Sequence, residues 1–265
     1  MVTLVIPCWN ESARLDVGAF LAALSANPSL TFVFVDDGST DSTAETLAFL
    51  RNQSPAIEAI FLPKNGGKAG AVRAGINWAL DHTPCEAVGF WDADLATPLS
   101  EVPRFIDELT AYPSRELVIG ARWPHLGAEI SRSGFRSFTG AVMKKLIRLA
   151  VGVPVFDTQC GAKLFRRETA RELFAKPFLS RWLFDVELLI RLGSTRLRRH
   201  GVELPLSNWT DVPGSKMKTF DLPRVLLDLI RIRWANRTPR TLKLAFAQTP
   251  EGMVKYGHAY PDCGR

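Results

Sequence analysis

Two alternating periodicities constrain the first 120 residues of this chain more than any other feature. Short runs rich in β-branched and aromatic residues at 2–6, 31–35, 57–61, 87–91 and 117–119 are separated by helical patterns at roughly 12–24, 42–52, 67–81 and 100–111. A parallel neighbour in a sheet needs a crossover connection, and a helix is the usual one. The expected fold class is therefore α/β, a Rossmann-like, mostly parallel sheet flanked by helices. The second helical stretch opens with Ser42-Thr43-Ala44-Glu45, which has the form of a capping box.

In such sheets ligands sit beyond the carboxyl ends of the strands, and here those ends are unusually polar. The first strand runs into Pro7-Cys8-Trp9-Asn10-Glu11, the second into Asp36-Asp37-Gly38-Ser39 and the fourth into Asp92-Ala93-Asp94. Three strand ends thus converge on one acidic rim. Residues two apart on an extended segment point to the same side, so Asp92 and Asp94 can reach one ion. A hard divalent cation such as Mg²⁺ or Mn²⁺ takes one or two carboxylates plus substrate phosphates. An isolated Asp-x-Asp is more often a solvated turn, but this one shares its rim with Asp36 and Asp37, which can accept from a nucleobase or from ribose hydroxyls. Asn65-Gly66-Gly67-Lys68 opens the third helix, where glycines let backbone N–H groups approach phosphate.

Together these segments resemble the inverting glycosyltransferases of family 2 with the GT-A fold. The matching strings are 5–11, 35–41, 65–75 and Asp92-Ala93-Asp94. A narrower resemblance, to dolichyl-phosphate and polyprenyl-phosphate β-glucosyltransferases, rests on 157–165, 181–189 and 208–216. The resemblance implies that Pro7, Asn10, Glu11, Asp36, Asp37, Asn65, Lys68, Asp92 and Ala93 hold the nucleotide-sugar, with Asp92 and Asp94 at the metal. It also implies that Arg122, Arg132 and Arg136, joined by Lys216, face the acceptor phosphate, and that Asp157 stands beside the acceptor or acts as base. The implied reaction moves a hexose, glucose above others, from UDP-glucose to a polyprenyl phosphate, giving a β-linked product. Asp157, Arg122 and Asp94 are its expected catalytic residues. Ala162 departs from the phenylalanine of the subgroup, and Ala96 departs from the glutamine of mannosyl relatives, which favours a glucosyl site. GDP-mannose-dependent transfer and transfer to a saccharide hydroxyl are the alternatives.

Charge divides the chain in two. Residues 1–120 carry 7 Lys and Arg against 15 Asp and Glu, whereas residues 121–265 carry 26 against 12. The basic half contains two amphipathic stretches. At 135–149, Phe135, Phe138, Val142, Leu146 and Leu149 recur at helical spacing around Lys144, Lys145 and Arg148. At 222–234, Val225, Leu226, Leu229, Ile230 and Ile232 accompany Arg224, Arg231 and Arg233, with Trp234 at the end. Such helices lie in a membrane interface or pack on the core with arginine stems at their edges. The expectation is a domain over 1–221, its donor half about 1–120 and its acceptor half about 121–221, followed by an amphipathic extension over 222–265. No leader is legible, and no apolar run approaches the roughly 20 residues of a membrane span. Cys8, Cys85, Cys160 and Cys263 are scattered without metal-ligand spacing. The expected location is cytoplasmic, peripherally attached to the cytoplasmic face of an anionic membrane. A nucleic-acid partner is disfavoured because the acidic rim repels phosphate wherever no metal intervenes.

Overall fold

The computed structural model describes residues 1–131, 147, 152, 155–212 and 222–236. The alternation yields β1 (Val2–Cys8), α1 (Val17–Ala26), β2 (Leu30–Asp36), α2 (Thr43–Arg51), β3 (Ile57–Phe61), α3 (Lys68–His82), β4 (Ala87–Phe90), α4 (Val102–Ala111) and β5 (Leu117–Ala121). After these come β6 (Glu129–Ser131), β7 (Lys163–Arg166), α5 (Arg167–Phe174), α6 (Phe184–Leu192), α7 (Ser194–His200), β8 (Gly201–Pro205), β9 (Asn208–Thr210) and α8 (Leu222–Ala235). Among the described residues, seven strands form one sheet in the order β3-β2-β1-β4-β7-β5-β8, and β6 pairs with β9 in a second.

Strand periodicity sorts the core into two layers. Leu4, Ile6, Phe32 and Phe34 face one side with Phe20, Leu47, Phe105 and Leu109 of α1, α2 and α4. Val5, Val33 and Val35 face the other, beneath α3, α5, α6, α7 and two residues of α8. Phe20 wedges edge-on between Phe32 and Phe34, with ring centroids at 5.2 and 4.9 Å.

The structure departs from the sequence reading at several points. The first helix starts at Val17 instead of near residue 12. The Glu11 carbonyl turns the chain by accepting from the Arg14 and Leu15 N–H groups, and Asp16 then caps the Ala19 N–H at 2.9 Å. The capping box at Ser42 does not form: the Ser42 side chain makes no cap bond, and Asp41 accepts from the Thr43 N–H at 3.1 Å instead. Hydrogen bonds from Thr43 and Ser12 outweigh desolvation and hold the Asp41 carboxyl at about 2. The four residues of β7 lie antiparallel between β4 and β5, and β8 adds an edge beyond them.

The last helix also splits its apolar residues differently. Leu229 and Ile232 are buried against the core, whereas Leu227, Ile230 and Trp234 are 56%, 64% and 74% exposed. The stripe expected to face outward is therefore divided between the interior and the surface, so this helix is in part a core element. Of the 135–149 stretch only Ile147 is described, and it is buried. No helix among the described residues is long and apolar enough to cross a membrane.

Candidate active site

The acidic rim is assembled from loops that tie one another down. Asn10 adopts φ 52°, a left-handed conformation that asparagine tolerates, and this turns it toward the next strand end. Its N–H donates to Ser39 Oγ at 2.9 Å, and its Oδ1 accepts from the Thr40 N–H at 2.8 Å. The Glu11 N–H donates to Thr43 Oγ1 at 2.8 Å, while the Glu11 carboxylate accepts from Arg14 at 2.7 Å. That hydrogen bond raises the pKa of Arg14, whose guanidinium also lies in the field of Asp92 and Asp94. Pro7 is part of β1 and pairs with Val35.

Asp36 and Asp37 are both buried, and each shapes a loop. Asp36 accepts from the Ser39 N–H at 3.2 Å, and Asp37 accepts from the Gly66 and Gly67 N–H groups at 2.7 Å each. Burial pushes the Asp37 carboxyl up, against the pull of those two amides. This corrects one expectation, because the Gly66 and Gly67 amides serve a carboxylate and are not held out as a phosphate cradle. What the loop delivers to the rim is Lys68 at the start of α3, whose ammonium pairs with Asp92. Burial lowers Lys68, but Asp92 and Asp185 outweigh it and the pKa is raised. The carbonyls of Asn65 and Gly66 and the Asn65 amide oxygen accept from Arg181.

Asp92, Ala93 and Asp94 follow β4 directly. Ala93 is buried, and its methyl belongs to the core. The Asp94 carboxyl is pushed up, first by burial and then by the charge of Asp92, and its Oδ1 accepts from the Ala96 N–H at 3.2 Å. Gly161 backs this site: a Cβ there would fall 1.7 Å from Asp92 Oδ2, so the carboxylate occupies the space a side chain would fill. Among the described residues no three or more His, Cys, Asp or Glu side chains gather into a complete metal cage. Two mutually repelling carboxylates are nevertheless the complement a hard divalent ion uses when phosphates supply further oxygens.

Beyond β5 stands a second pair. Asp157 is 1% exposed and is gripped by Arg122 through Nε at 2.5 Å, a terminal nitrogen at 2.7 Å and the backbone N–H at 3.1 Å. This fork is the strong bidentate form of the contact. Burial lowers the pKa of Arg122, and Asp157 more than restores it. Arg122 also sits 5.1 Å over the Trp209 ring. Glu203 fixes the loop by accepting from the Phe156 and Asp157 N–H groups at 2.8–2.9 Å. Burial pushes the nearby Cys160 thiol up to about 11, which keeps it protonated and poorly nucleophilic at neutral pH.

Arg14, Gly161, Lys163, Arg181 and Glu203 were not singled out from the sequence. Gly161, Lys163 and Arg181 lie within strings carrying the resemblance, and that was their only signal. Lys163 is fully buried, donates to the Cys160 carbonyl at 2.7 Å and pairs with Asp185 at 2.5 Å. Asp185 and Glu187 stand in the first turn of α6, and both are buried partners of cations, Glu187 with Arg191 at 2.7 Å. Arg132, Arg136 and Lys216 lie outside the described residues.

A doubly covered, mostly parallel sheet whose strand ends carry a paired-carboxylate rim, a lysine at a helix start and a buried Arg–Asp pair has the make-up of a GT-A glycosyltransferase. The chain belongs to glycosyl transferase family 2, whose sequence model matches residues 3–174. It is 36% identical over 242 residues to a dolichyl-phosphate beta-glucosyltransferase of Trichomonas vaginalis, covering 87% of this chain and 70% of that one. The Homo sapiens dolichyl-phosphate beta-glucosyltransferase is 33% identical over 236 residues, with coverage of 83% and 70%. Among solved structures, glucosyl-3-phosphoglycerate synthase of Mycobacterium tuberculosis shares the fold with a TM-score of 0.64 at 18% identity, covering 89% of this chain and 80% of that one. The same enzyme in complex with Mg²⁺ and UDP gives a TM-score of 0.63, also at 18% identity, over 89% and 79%.

Proposed function

We propose that this glycosyltransferase moves glucose from UDP-glucose to dolichyl phosphate or a related polyprenyl phosphate, with inversion at the anomeric carbon. The observation carrying the reading is the Lys68–Asp92–Asp94 rim backed by Gly161, in a chain 36% identical to a dolichyl-phosphate beta-glucosyltransferase. Asp92 and Asp94 are the residues to hold a Mg²⁺ or Mn²⁺ ion. Such an ion supplies charge neutralisation for a departing diphosphate. Lys68 offers its ammonium to the same diphosphate, and Asn10, Glu11, Asp36 and Asp37 frame the nucleoside side of the rim.

The acceptor side needs little base chemistry, because a phosphate monoester is already anionic at neutral pH. Asp157, locked in the Arg122 fork, serves to orient the acceptor's surroundings. The test is a purified-protein assay with UDP- and GDP-sugars, a divalent ion and a short polyprenyl phosphate, the lipid product being identified by mass. The expected product is the β-linked glucosyl phosphate lipid from UDP-glucose. Turnover only of GDP-mannose, or only of saccharide acceptors, would overturn the assignment.

A lipid acceptor calls for a peripheral attachment to an anionic membrane, and Leu227, Ile230 and Trp234 with Arg231 and Arg233 on α8 suit that role. The chain is expected to co-sediment with anionic vesicles, more weakly as salt rises but never reaching zero, since only the charged share is screened. The double substitution Leu227→Asp/Ile230→Asp is expected to abolish this binding while leaving the melting temperature within a few degrees. Unchanged co-sedimentation of that variant would move the membrane contact elsewhere.

A further inference from the structure

One segment ties the surface of α8 to the donor rim. In the stretch between α5 and α6, Arg181 holds the Asn65–Gly67 loop from the side opposite Asp37. Its Nε donates to the Gly66 carbonyl at 3.1 Å, a terminal nitrogen to the Asn65 carbonyl at 3.2 Å, and its own carbonyl accepts from the Ala69 N–H at 3.4 Å. Gly67, at φ 84°, has no room for a side chain: a Cβ would meet Arg181 Nε at 2.7 Å. The loop that presents Lys68 is thus clamped between Asp37 and Arg181.

The next residue back joins this clamp to the last helix. Ser180 Oγ donates to Asp228 Oδ2 at 2.7 Å while accepting from the Trp182 and Leu183 N–H groups at 3.3 and 3.1 Å. Asp228 lies on α8 between the exposed Leu227 and the buried Leu229. Leu179 and Trp182, which flank Ser180 and Arg181, are themselves 52% and 48% exposed. Exposed apolar side chains thus occur both on the strap and on α8, which one part-buried hydrogen bond joins, and α8 carries Arg231 and Arg233 as well.

We propose that Ser180 and Arg181 form a strap that couples seating of α8 on an anionic bilayer to donor binding, with Arg181 as the positioning residue for the Asn65–Gly67 loop. The proposal rests on the membrane reading above. Seating fixes α8 together with Leu179 and Trp182; the Ser180–Asp228 bond passes that order to Arg181, and Arg181 passes it to the loop carrying Lys68. By linkage, nucleotide binding strengthens vesicle binding by the same factor.

The test measures UDP affinity of the full chain with Mg²⁺, in solution and on vesicles of mixed phosphatidylcholine and phosphatidylglycerol. Vesicles are expected to tighten UDP binding by about fivefold or more, the lower end of ordinary coupling between sites. Asp228→Ala removes the acceptor of Ser180, and its expected result is UDP affinity in solution within about twofold of the parent and vesicle binding retained, with the tightening lost. Asp228→Asn keeps an acceptor oxygen and is expected to keep the tightening. Arg181→Ala is expected to weaken UDP binding about tenfold with and without vesicles, and Arg181→Lys to restore only part, because a lysine lacks the planar fork. Equal UDP affinity on and off vesicles, in a parent that does co-sediment, overturns the strap and leaves the membrane reading intact. A parent that ignores vesicles sinks both, and undiminished UDP affinity in Arg181→Ala removes the clamp.

Discussion

Asp94→Asn is expected to lower glucosyl transfer by at least about a thousandfold, an activation cost of about 4 kcal/mol. The substitution keeps the shape of the side chain and removes only its charge. In the parent, burial and the neighbouring Asp92 already push the Asp94 carboxyl up, so the two carboxylates coexist at a cost that a bound cation relieves. With one of them neutral, the diphosphate loses the countercharge worth several kcal/mol as it departs. Initial rates of lipid product, together with a Mg²⁺ titration of UDP binding, check this. Retention of activity within about tenfold, or full activity of the parent in excess chelator, would remove the divalent ion from the site.

Asp185→Ala is expected to destabilise the fold by about 3–5 kcal/mol, the usual penalty for orphaning one member of a buried pair. Lys163 would be left in the interior with the Phe90 ring 5.2 Å from its ammonium and, among the described residues, only the Cys160 carbonyl as hydrogen-bond acceptor. The double variant Lys163→Met/Asp185→Leu replaces both charges by apolar groups and is expected to recover most of that loss. It should still transfer glucose more slowly, by about tenfold, because the Cys160 carbonyl then loses its bond to Lys163 and Gly161 drifts from the back of Asp92. Chemical denaturation of the three proteins measures the first effect and steady-state rates the second. A single variant as stable as the parent, or a double variant as active, would reduce the pair to packing.

The parallel half of the sheet was legible because alternation is a local signal: Leu4 and Ile6 against Val5, and Phe32 and Phe34 against Val33, write the two core layers directly into the chain. The acidic rim was legible for the same reason, since polar residues cluster where those runs stop. β7 was not. Its Lys163-Leu164-Phe165-Arg166 is four residues long with a cation at each end, and a buried lysine runs against the ordinary preference of that side chain for water. Its one charged partner among the described residues, Asp185, lies 22 residues away and makes Lys163 acceptable in the interior together with the Cys160 carbonyl. The grip of Arg181 on Asn65 spans 116 residues and leaves no periodic trace. The division of α8 failed to show because Leu227 and Leu229 look alike in sequence, and what distinguishes them is which one the core of α6 covers.

The antiparallel entry of β7 sets a spacing. Because β7 lies between β4 and β5, the carboxylates after β4 and the Arg122–Asp157 pair after β5 are separated by two interstrand steps, roughly 9–10 Å at the sheet. Backbone hydrogen bonding fixes that width. The chain that reverses direction to fill it brings Asp157, Cys160 and Gly161 down onto the rim from above, at the only end where a strand of that polarity begins. On the function proposed above, a sugar slot built this way has a gauge that side-chain substitution cannot widen, so selection among hexoses falls to the residues lining it. Donor preference can then drift in evolution, or be redesigned, without disturbing the geometry that aligns the two substrates.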